Sequence, residues 1–506
     1  MMRSIDDFLN RMTMYRLVEY YLGFLIGVAA LFCFLGILPY DPYALLFSTG
    51  FFIAACWITN TIFAKAYGVA PNLESVYISA LILALIITPL RSAHDLLFFG
   101  WAAVLATASK YIVAIRGKHI FNPVAFAVAL TSLTINQNAS WWVGDVPMLF
   151  FVAAGGVLIV RKIRRFDLVF SFFLTALGTI LVSSLILGTD PVTVLQDTVL
   201  ASPLVFFAFV FLTEPRTTPP TTQLQIYYGT LVGFLFNPQL HLGALFLTPE
   251  LAILIGNVFS YLVSPRTKLA LKLQQKIQLA PDLVDFIFVP QRRLSYAPGQ
   301  YMEWTLGHPD PDSRGNRRFF TLASSPTEET LRLGVKFYPN SSSFKESMLS
   351  MDENSEIVAS QLAGDFTLPR NPKQNCVFIA GGIGITPFRS MIKYLIDHHQ
   401  PRPIVLLYAN RVIGDIVYKD VFDQAERELG ISTIYTLTDT RQVPAGWTGE
   451  VGRINARLIG RYVPEYRNCL FYLSGPNAMV VAYEEALLGM GVSRGHIKKD
   501  FFPGFV

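Results

Sequence analysis

Apolar segments follow one another through the first 265 residues, and this feature limits the possible folds of the chain more than any other. Several approach the roughly 20 residues that a helix needs to cross a bilayer, whereas others are shorter. Hydrophobic residues make up 52% of the whole chain and charged residues only 15%. We therefore predict a polytopic α-helical membrane domain with about ten spans. The segments lie at 17–38, 42–64, 75–90, 96–115, 122–136, 146–160, 168–188, 199–213, 226–236 and 249–263.

Positive charge is distributed unevenly, both along the chain and between the predicted loops. Of the 41 Lys and Arg residues, 13 precede residue 266, so the rest of the chain is expected to be water-soluble. With ten spans, all of those 13 except Arg91 fall on one side of the membrane. The positive-inside rule then predicts a multi-pass cell (inner) membrane protein with both termini in the cytoplasm. The polar first ten residues lack the cleavage site of a removable signal peptide.

A short motif occurs twice in the membrane half. Phe121-Asn122-Pro123 opens the fifth span on the predicted cytoplasmic side, and Phe236-Asn237-Pro238 precedes the tenth span on the outer side. Two five-span repeats of inverted topology would place the motifs in this way. The alternative is that Asn-Pro, a common turn, recurs by chance. The spans around both motifs are short, and such broken helices usually face a buried site.

Three stretches of this half resemble a known family. They are residues 73–83, residues 116–126, and Thr213–Arg216 followed by Tyr228-Gly229. Residues 15–265 resemble the D subunit of Rnf-type electron-transport complexes and the B subunit of sodium-translocating NADH:quinone reductases. The resemblance implies electron transfer through a flavin within the membrane. Many members attach FMN covalently to a Thr of a Ser-Gly-Ala-Thr motif, which loop 189–195 lacks, so the resemblance implies a second flavin, FMN, held non-covalently.

Histidines bear on a second kind of membrane reductase. Ferric reductases and NADPH oxidases hold haem between paired histidines of their spans. In this half only His94, His119 and His241 occur, all at predicted span ends and with no pair spaced along one helix. A capping or interfacial role suits each of them better than haem ligation. Haem is therefore disfavoured.

The cysteines and the basic residues exclude further classes of protein. No two cysteines have C-x-x-C spacing, so we expect no iron–sulfur cluster, no other metal site and no disulfide framework. No basic run is interleaved with aromatic residues, so we expect no nucleic-acid partner. The cysteines are Cys33, Cys56, Cys376 and Cys469.

The soluble half contains two patterns. From residue 268, short alternating runs between Pro, Gly and Asp predict an antiparallel β-barrel over residues 268–370. From residue 371 to residue 506, strands alternate with helices, which predicts a doubly wound α/β domain with ligands at the carboxyl ends of its strands. The barrel runs are 269–279, 284–289, 301–306 and 331–338. The α/β strands are predicted at 377–380, 404–408, 433–437 and 470–474, and the helices at 387–398 and 421–429.

The first chemical motif is Arg318-Phe319-Phe320-Thr321 on a barrel strand. Alternation puts Arg318 and Phe320 on one face and Thr321 on the other. The arginine offers a charge-assisted fork to a phosphate, the phenyl ring a stacking surface and the threonine a hydroxyl. On its own this run is also ordinary strand composition.

The second motif is the turn from Ala380 to Pro387, which contains Gly381, Gly382, Gly384 and Thr386. It lies between a hydrophobic strand and a helix, where backbone N–H groups and the helix N-terminus favour a pyrophosphate. Pro387 suits the first helical turn. A glycine turn alone is common in α/β proteins, but this position after the barrel motif is specific.

The order of the motifs resembles the ferredoxin–NADP reductase superfamily over residues 268–506. The supporting stretches are Pro298–Tyr301, Gly334–Lys336, Ser341–Lys345 and Gly364–Pro369. The resemblance implies a flavin-binding barrel over 268–370 and an NAD(P)H-binding domain over 371–506. It also implies contacts from Arg318, Phe320 and Thr321 to FAD, and from Ser342 and Ser343 to its phosphates. Phe320 and Thr321 replace the usual tyrosine and serine, which keeps the stacking and removes one hydroxyl.

The same resemblance implies further contacts to the nicotinamide nucleotide. Asn410-Arg411 would lie near the adenosine ribose, and Gly475-Pro476 near the nicotinamide. Arg411 would select NADPH if it paired with a 2′-phosphate, but it is equally a solvated charge, so NADH and NADPH both stay open. In the closing segment Phe502 would lie near the flavin.

Together these features predict a membrane-bound NAD(P)H-dependent flavin oxidoreductase. Hydride transfer between bound cofactors needs position and electrostatics rather than a catalytic acid or base. Electrons would leave FAD for a flavin in the membrane domain, residues 1–265, and then reach a quinone or an extracytoplasmic acceptor protein. A redox-driven Na⁺ or H⁺ pump subunit stays an alternative, although no ionisable residue lies at the centre of a predicted span.

Overall fold

A computed structural model of the chain describes residues 5, 8–9, 12–68, 73–115, 118–243, 245–265, 268–312, 314–353 and 355–500. The chain divides into two compact units between Arg266 and Thr267. The first unit is helical. The second unit contains two six-stranded sheets.

The first unit is built mainly of α-helices. Four of the described helices are long and apolar enough to cross a membrane: Met14–Phe34, Pro42–Ala66, Val146–Ile163 and Phe166–Leu187. A fifth candidate is the pair Pro191–Leu200 and Leu204–Phe211, which is bent by 58° at the break between its two parts. The segments are α1 Met14–Phe34, α2 Pro42–Ala66, α3 Leu73–Ile86, α4 Asp95–Ile112, α5 Pro123–Ile135, α6 Val146–Ile163, α7 Phe166–Leu187, α8 Pro191–Leu200, α9 Leu204–Phe211, α10 Thr222–Leu235 and α11 Pro249–Val263.

A helix overlaps each of the ten predicted apolar segments, but the predicted lengths differ from those in the structure. The segment predicted at 199–213 contains the last two residues of α8 and all of α9, because Ser202 and Pro203 separate the two helices. Residues 207–211 of α9 are π-helical. The stretch 189–195, predicted as an outer loop, instead starts α8, whose N-cap Asp190 accepts a hydrogen bond from the Thr193 backbone N–H (3.0 Å).

The close contact between α7 and α10 in the first unit depends on two glycines one turn apart. A Cβ atom at Gly229 of α10 would lie 2.6 Å from the Leu168 carbonyl oxygen of α7. A Cβ atom at Gly233 would lie 2.6 Å from the Phe172 carbonyl oxygen. Only glycine allows two helix backbones to approach this closely. Other helix pairs that pack together include α1 with α6 and α5 with α11.

The second unit begins with an antiparallel six-stranded sheet in the order β8-β7-β10-β5-β6-β9. The Ala323 backbone N–H after β8 donates to the Arg332 carbonyl of β9 (2.9 Å), which connects the two edges of the sheet into a barrel. The strands are β5 Leu269–Ala280, β6 Leu283–Pro290, β7 Tyr301–Thr305, β8 Arg317–Thr321, β9 Leu331–Lys336 and β10 Glu356–Ala363; β1 to β4 are two-residue strands of the first unit at 114–115, 118–119, 241–242 and 245–246. A short helix, α12 Ser343–Ser350, precedes β10.

The remainder of the unit is a parallel sheet in the order β14-β13-β12-β11-β15-β16. Its strands are β11 Cys376–Gly381, β12 Ile404–Asn410, β13 Ser432–Leu437, β14 Glu450–Val451, β15 Leu470–Ser474 and β16 Ile497–Lys499. Its helices are α13 Thr386–Asp397, α14 Lys419–Leu429, α15 Ala456–Tyr462 and α16 Asn477–Gly489. Separate apolar clusters cover its two faces. The predicted antiparallel barrel and doubly wound sheet are thus confirmed.

One central barrel strand was missing from the sequence prediction. β10 pairs with both β7 and β5, and its register shifts between Ser360 and Ala363. Gln361 between them has a positive φ of 52°. This bulge interrupts the alternation by which a strand is recognised.

Candidate functional site

The Arg318–Thr321 motif forms most of β8, an edge strand of the barrel. Phe320 pairs with Met302 of β7, and Arg318 pairs with Trp304, so both lie on one face of the sheet. Thr321, opposite Tyr301, lies on the other face. The predicted alternation of side chains is therefore present in the strand.

The Arg318 side chain is fixed within the barrel. Its Nη1 donates to the Arg314 carbonyl (2.7 Å) and to its neighbour's carbonyl at Arg317 (2.6 Å). Its guanidinium carbon lies 5.2 Å from the centre of the Phe344 ring, in the first turn of α12. The strand motif and the N-terminus of α12 are therefore in contact.

The serine run caps α12. Ser342 Oγ accepts a hydrogen bond from the Lys345 backbone N–H (3.3 Å). Ser343 Oγ accepts one from the Asp312 N–H (2.9 Å) and is hydrogen-bonded to His308 Nε2 (3.0 Å). The N-terminus of α12 carries a partial positive charge that attracts anions. Asp312 and His308 belong to the site, yet only their folded position, not a sequence signal, identifies them.

Three cationic side chains share this corner of the barrel with the carboxylate of Asp312. Burial lowers the pKa of Lys345 to about 8, and the positive charges of Arg318 and Arg314 act in the same direction. Burial alone would raise the pKa of Asp312, but hydrogen bonds from Arg314 and Ser343 bring it below its usual value. A positive field of this kind favours a doubly charged anion such as a pyrophosphate, so the residues present fit the phosphates of FAD.

The glycine turn connects β11 to α13. A Cβ atom at Gly384 would lie 2.5 Å from the Gly475 backbone N–H nitrogen, and a Cβ at Gly381 would overlap the Met479 side chain. Gly382 has a φ of 52°, which only glycine adopts without strain. The turn therefore packs directly on the 474–476 loop, at the adjacent carboxyl ends of β11 and β15. Pro387 follows Thr386 at the start of α13, as predicted from its residue type.

The 474–476 loop contacts an acid that sequence reasoning did not single out. Ser474 Oγ donates to Asp500 Oδ2 (2.9 Å), and the Asp500 N–H donates to the Leu473 carbonyl (2.9 Å). Burial raises the pKa of Asp500 to about 7. Gly475 has a φ of 153°, and Pro476 precedes α16. Phe502, predicted to lie near the flavin, is outside the described residues.

Asn410 and Arg411 follow at the end of β12. The Asn410 side chain is 3% exposed, and within the described chain neither its amide oxygen nor its amide nitrogen has a hydrogen-bond partner. The Arg411 side chain is exposed, and its carbonyl accepts a hydrogen bond from the Asp439 N–H (3.0 Å). A buried amide without partners fits a ligand group at this edge of the sheet.

The first unit holds a polar network around the first Asn-Pro motif. Asn122 Nδ2 donates to Glu214 Oε2 (2.8 Å), and the Asn122 N–H donates to Asn257 Oδ1 (2.8 Å). Lys110 Nζ donates to the Ser75 carbonyl oxygen (2.8 Å). Across the described residues no three His, Cys, Asp or Glu side chains are grouped to hold a metal ion. The four cysteines are free and buried.

The C-terminal half is similar to known proteins. The model of the oxidoreductase NAD-binding domain family matches residues 378–485. The stachydrine N-demethylase reductase subunit of Rhizobium meliloti is 28% identical over 227 residues, which cover 44% of this chain and 63% of that protein. The F subunit of the Na⁺-translocating NADH-quinone reductase of Yersinia pestis is 30% identical over 159 residues, or 31% of this chain and 39% of that protein. The solved cytochrome P450 reductase of Amycolatopsis has 22% identity and a TM-score of 0.42, with 47% of this chain and 70% of that chain covered.

This chain spans about three fifths of the length of the first relatives that it matches. The family match and the curated relatives agree with the fold of this half, in which a barrel precedes a parallel sheet. The C-terminal half contains a ferredoxin–NADP reductase-type module, and residues 378–485 of it match an NAD-binding domain.

Proposed function

We propose that this chain is a membrane-bound NAD(P)H-oxidising flavoprotein that delivers electrons from cytoplasmic NAD(P)H into or across the membrane. The observation that carries the proposal is the second unit: a cationic corner beside Arg318 on the barrel and a glycine turn at the carboxyl end of β11. The matched relatives include reductase subunits by name, which supports the same activity. The candidate helices of the first unit support attachment to a lipid bilayer.

Each cluster has a separate task in this proposal. Arg318, Lys345 and the N-terminus of α12 at Ser342 and Ser343 hold the FAD phosphates. Phe320 offers its ring for stacking on the flavin, and Thr321, on the other face of β8, offers a hydroxyl. The N–H groups of the glycine turn and the start of α13 hold the NAD(P)H pyrophosphate. When bound, FAD would supply hydride acceptance and the release of electrons one at a time, which is the chemistry that a single-electron chain requires.

A direct experiment tests this activity. The full chain, purified in detergent and reconstituted with FAD, is mixed without oxygen with NADH or NADPH. Bleaching of the flavin absorbance within seconds supports the proposal. If neither nucleotide bleaches a bound flavin, the proposed function is wrong.

For the first unit we propose about ten spans, arranged as two inverted five-helix repeats with both termini in the cytoplasm. Supporting observations are the contacts between corresponding helices, α1 with α6 and α5 with α11. Both repeated asparagines also bond to neighbouring segments, since Asn237 Nδ2 donates to Ser183 Oγ (2.7 Å) of α7. The four native cysteines are buried, so an added thiol reports the topology. Gln137→Cys should react with an impermeant reagent from outside, and Lys65→Cys only after permeabilisation.

The acceptor side of the proposal is a second flavin, FMN held non-covalently in the first unit, followed by a quinone or an extracytoplasmic acceptor protein. A hydrocarbon core about 30 Å thick requires an intermediate carrier for electrons to cross it. Counting FAD and FMN per chain before and after acid precipitation tests this step. Two releasable flavins support the relay, one excludes it, and a flavin that stays attached excludes non-covalent binding.

A redox-driven Na⁺ or H⁺ pump subunit is the second candidate function. The buried polar network of Asn122, Glu214 and Asn257 favours it, because ionisable residues inside membrane domains commonly mark ion pathways. NADH-driven uptake of ²²Na⁺ or of protons into vesicles that contain the chain would support pumping. Electron transfer without either uptake would exclude it.

A further inference from the structure

A buried ion pair joins the barrel to the nucleotide-binding part of the second unit. Arg389 on α13 is 3% exposed and makes a bidentate contact with Glu328, through Nη1 to Oε2 (2.6 Å) and Nη2 to Oε1 (2.9 Å). The same Nη1 donates to the Ala323 carbonyl (2.8 Å). A bidentate guanidinium–carboxylate pair fixes orientation as well as distance. The pair therefore sets the angle between a barrel segment and a helix.

Both ends of this contact lie close to the proposed cofactor groups. Ala323 follows Thr321 of the flavin strand by two residues, and Arg389 follows Thr386 at the start of α13 by three. The next residues repeat the contact, since Ser390 Oγ donates to the Ser324 carbonyl (2.6 Å). The contact between Ala323 and Arg389 therefore lies two residues after the flavin strand on one side and less than one helical turn after the pyrophosphate turn on the other.

The Arg389 guanidinium also packs against the ring of Tyr418. The Tyr418 ring centre lies 5.4 Å from the Arg389 guanidinium carbon, and Tyr418 adopts a φ of 56°, which is unusual for a bulky residue. A Cβ atom at Gly334 of β9 would lie 2.8 Å from the Tyr418 hydroxyl and 2.9 Å from Thr386 Cγ2. Barrel strand and nucleotide turn are thus in direct contact beside the ion pair.

The charges in this interface are matched. Arg332 Nη1 of β9 lies 3.1 Å from the fully buried Asp285 carboxylate of β6 and 3.8 Å, through Nε, from Glu328. Burial raises the pKa of Asp285, and Arg332 opposes that shift. Buried ion pairs stabilise a fold weakly compared with apolar packing. We therefore expect these pairs to fix the relative orientation of the barrel and α13 rather than to add much stability.

We propose that Arg389 is a positioning residue for hydride transfer, which fixes the flavin strand relative to the nicotinamide nucleotide through Glu328 and Ala323. This inference rests on the proposed function. In the step concerned, the hydride leaves C4 of NAD(P)H, which is oxidised to NAD(P)⁺, and bonds to N5 of the flavin. The flavin gains two electrons with the hydride and takes one further proton from water.

The test compares three variants with the wild type. Arg389→Lys keeps the charge but loses the fork. The double variant Arg389→Gln with Glu328→Gln removes both charges and leaves no unpaired ion. Arg461→Lys is the control, because Arg461 pairs with Glu450 in the same unit (2.9 Å) but is 68% exposed.

Four quantities are measured for each variant: FAD content, the Kd for NAD⁺, the rate of flavin reduction at saturating NADH, and amide hydrogen exchange of residues 322–330 and 386–397. A misplacement of about 1 Å costs about 100-fold in rate. We expect Arg389→Lys and the double variant to reduce flavin about 10-fold to 100-fold more slowly. Their FAD content and Kd should stay within about twofold, while both segments exchange faster. Arg461→Lys should change none of these.

Two outcomes would contradict the positioning role, and a third would contradict the proposed function. If folded, FAD-loaded Arg389→Lys and the double variant reduce flavin at the wild-type rate, the positioning role is wrong. If the rate and the FAD content both fall and the Kd for NAD⁺ rises with them, Arg389 is merely structural and the inference is also wrong. If the wild type itself is not reduced by NADH or NADPH, the proposed function fails first.

Discussion

Substitution of Gly384 by alanine separates the nucleotide site from the flavin site. The added Cβ would lie 2.5 Å from the Gly475 nitrogen, whereas ordinary contact begins at 3.4 Å. The obstructing atoms belong to the backbone, so β11 and the 474–476 loop must separate by about 1 Å. Overpacking of this kind costs about 1–3 kcal/mol. If that cost is relieved by opening the loop, NADH binds about 5-fold to 150-fold more weakly.

The assay is a titration of the FAD-loaded chain with NAD⁺ or NADH, with FAD content measured on the same samples. FAD should be retained, because the cationic corner at Arg318 and Lys345 belongs to the barrel. The control is Gly460→Ala in α15, where the added Cβ meets no atom within 4 Å. It should bind NADH normally and unfold at a slightly higher temperature. Unchanged NADH affinity in Gly384→Ala, or equal loss of FAD and NADH, would refute the reasoning.

Further predictions concern the remaining contacts of the fold. Lys345→Met should weaken FAD binding about 10-fold to 150-fold, as measured by ultrafiltration, because a charge-assisted contact is worth roughly 1.5–3 kcal/mol. Unaltered FAD affinity would exclude the lysine from the phosphate site. Asp500, with its pKa raised to about 7 by burial, is protonated in the folded chain but ionised in the unfolded chain between about pH 4 and pH 7. Stability should therefore fall as pH rises through that range, by at most about 1.4 kcal/mol per unit, and Asp500→Asn should flatten the dependence of the unfolding temperature on pH. Gly233→Leu should abolish monodisperse protein in size-exclusion chromatography, since α7 backbone lies 2.6 Å from the added Cβ, whereas Gly178→Ala, with open space around it, should not. Asp439 follows the carboxyl end of β13, and its N–H donates to the carbonyl of Arg411. A carboxylate beside the ribose favours its hydroxyl over a 2′-phosphate, so Asp439→Ser should raise the ratio of kcat/KM for NADPH to that for NADH. A constant ratio would place the ribose elsewhere.

Local chemistry explains which parts of the second unit were predictable. The glycine turn could be located from sequence because close backbone approach, positive φ and a helix start each require a particular residue type at Gly384, Gly382 and Pro387. The alternation of Arg318 and Phe320 against Thr321 likewise follows from the strand period.

Contacts between distant residues explain what the sequence did not reveal. Ser343 meets Asp312, and Arg389 meets Glu328, across 31 and 61 residues respectively. Such pairs are set by the fold as a whole and leave no local pattern. The bulge at Gln361 hid β10 for a different reason, because it breaks the alternation itself.

In the first unit, helices could be predicted but their ends could not. The apolar composition predicted where helices occur but not where they end. For example, one apolar segment continues across Ser202-Pro203, where the structure has a break between α8 and α9. Nor does composition reveal the Asn122–Asn257 contact, which spans 135 residues. The number of spans and the cofactor content of this unit are therefore predictions, which topology labelling and flavin counting test.

The most direct test of the account is an anaerobic titration of the purified full chain with NADH, followed by flavin absorbance, on samples whose FAD and FMN have been counted. We expect one FAD and one FMN per chain, both releasable by acid, with full bleaching at two equivalents of NADH because each flavin accepts two electrons. Bleaching that ends at one equivalent would contradict a second flavin in the electron path. A flavin-loaded chain that neither NADH nor NADPH bleaches would contradict the central claim.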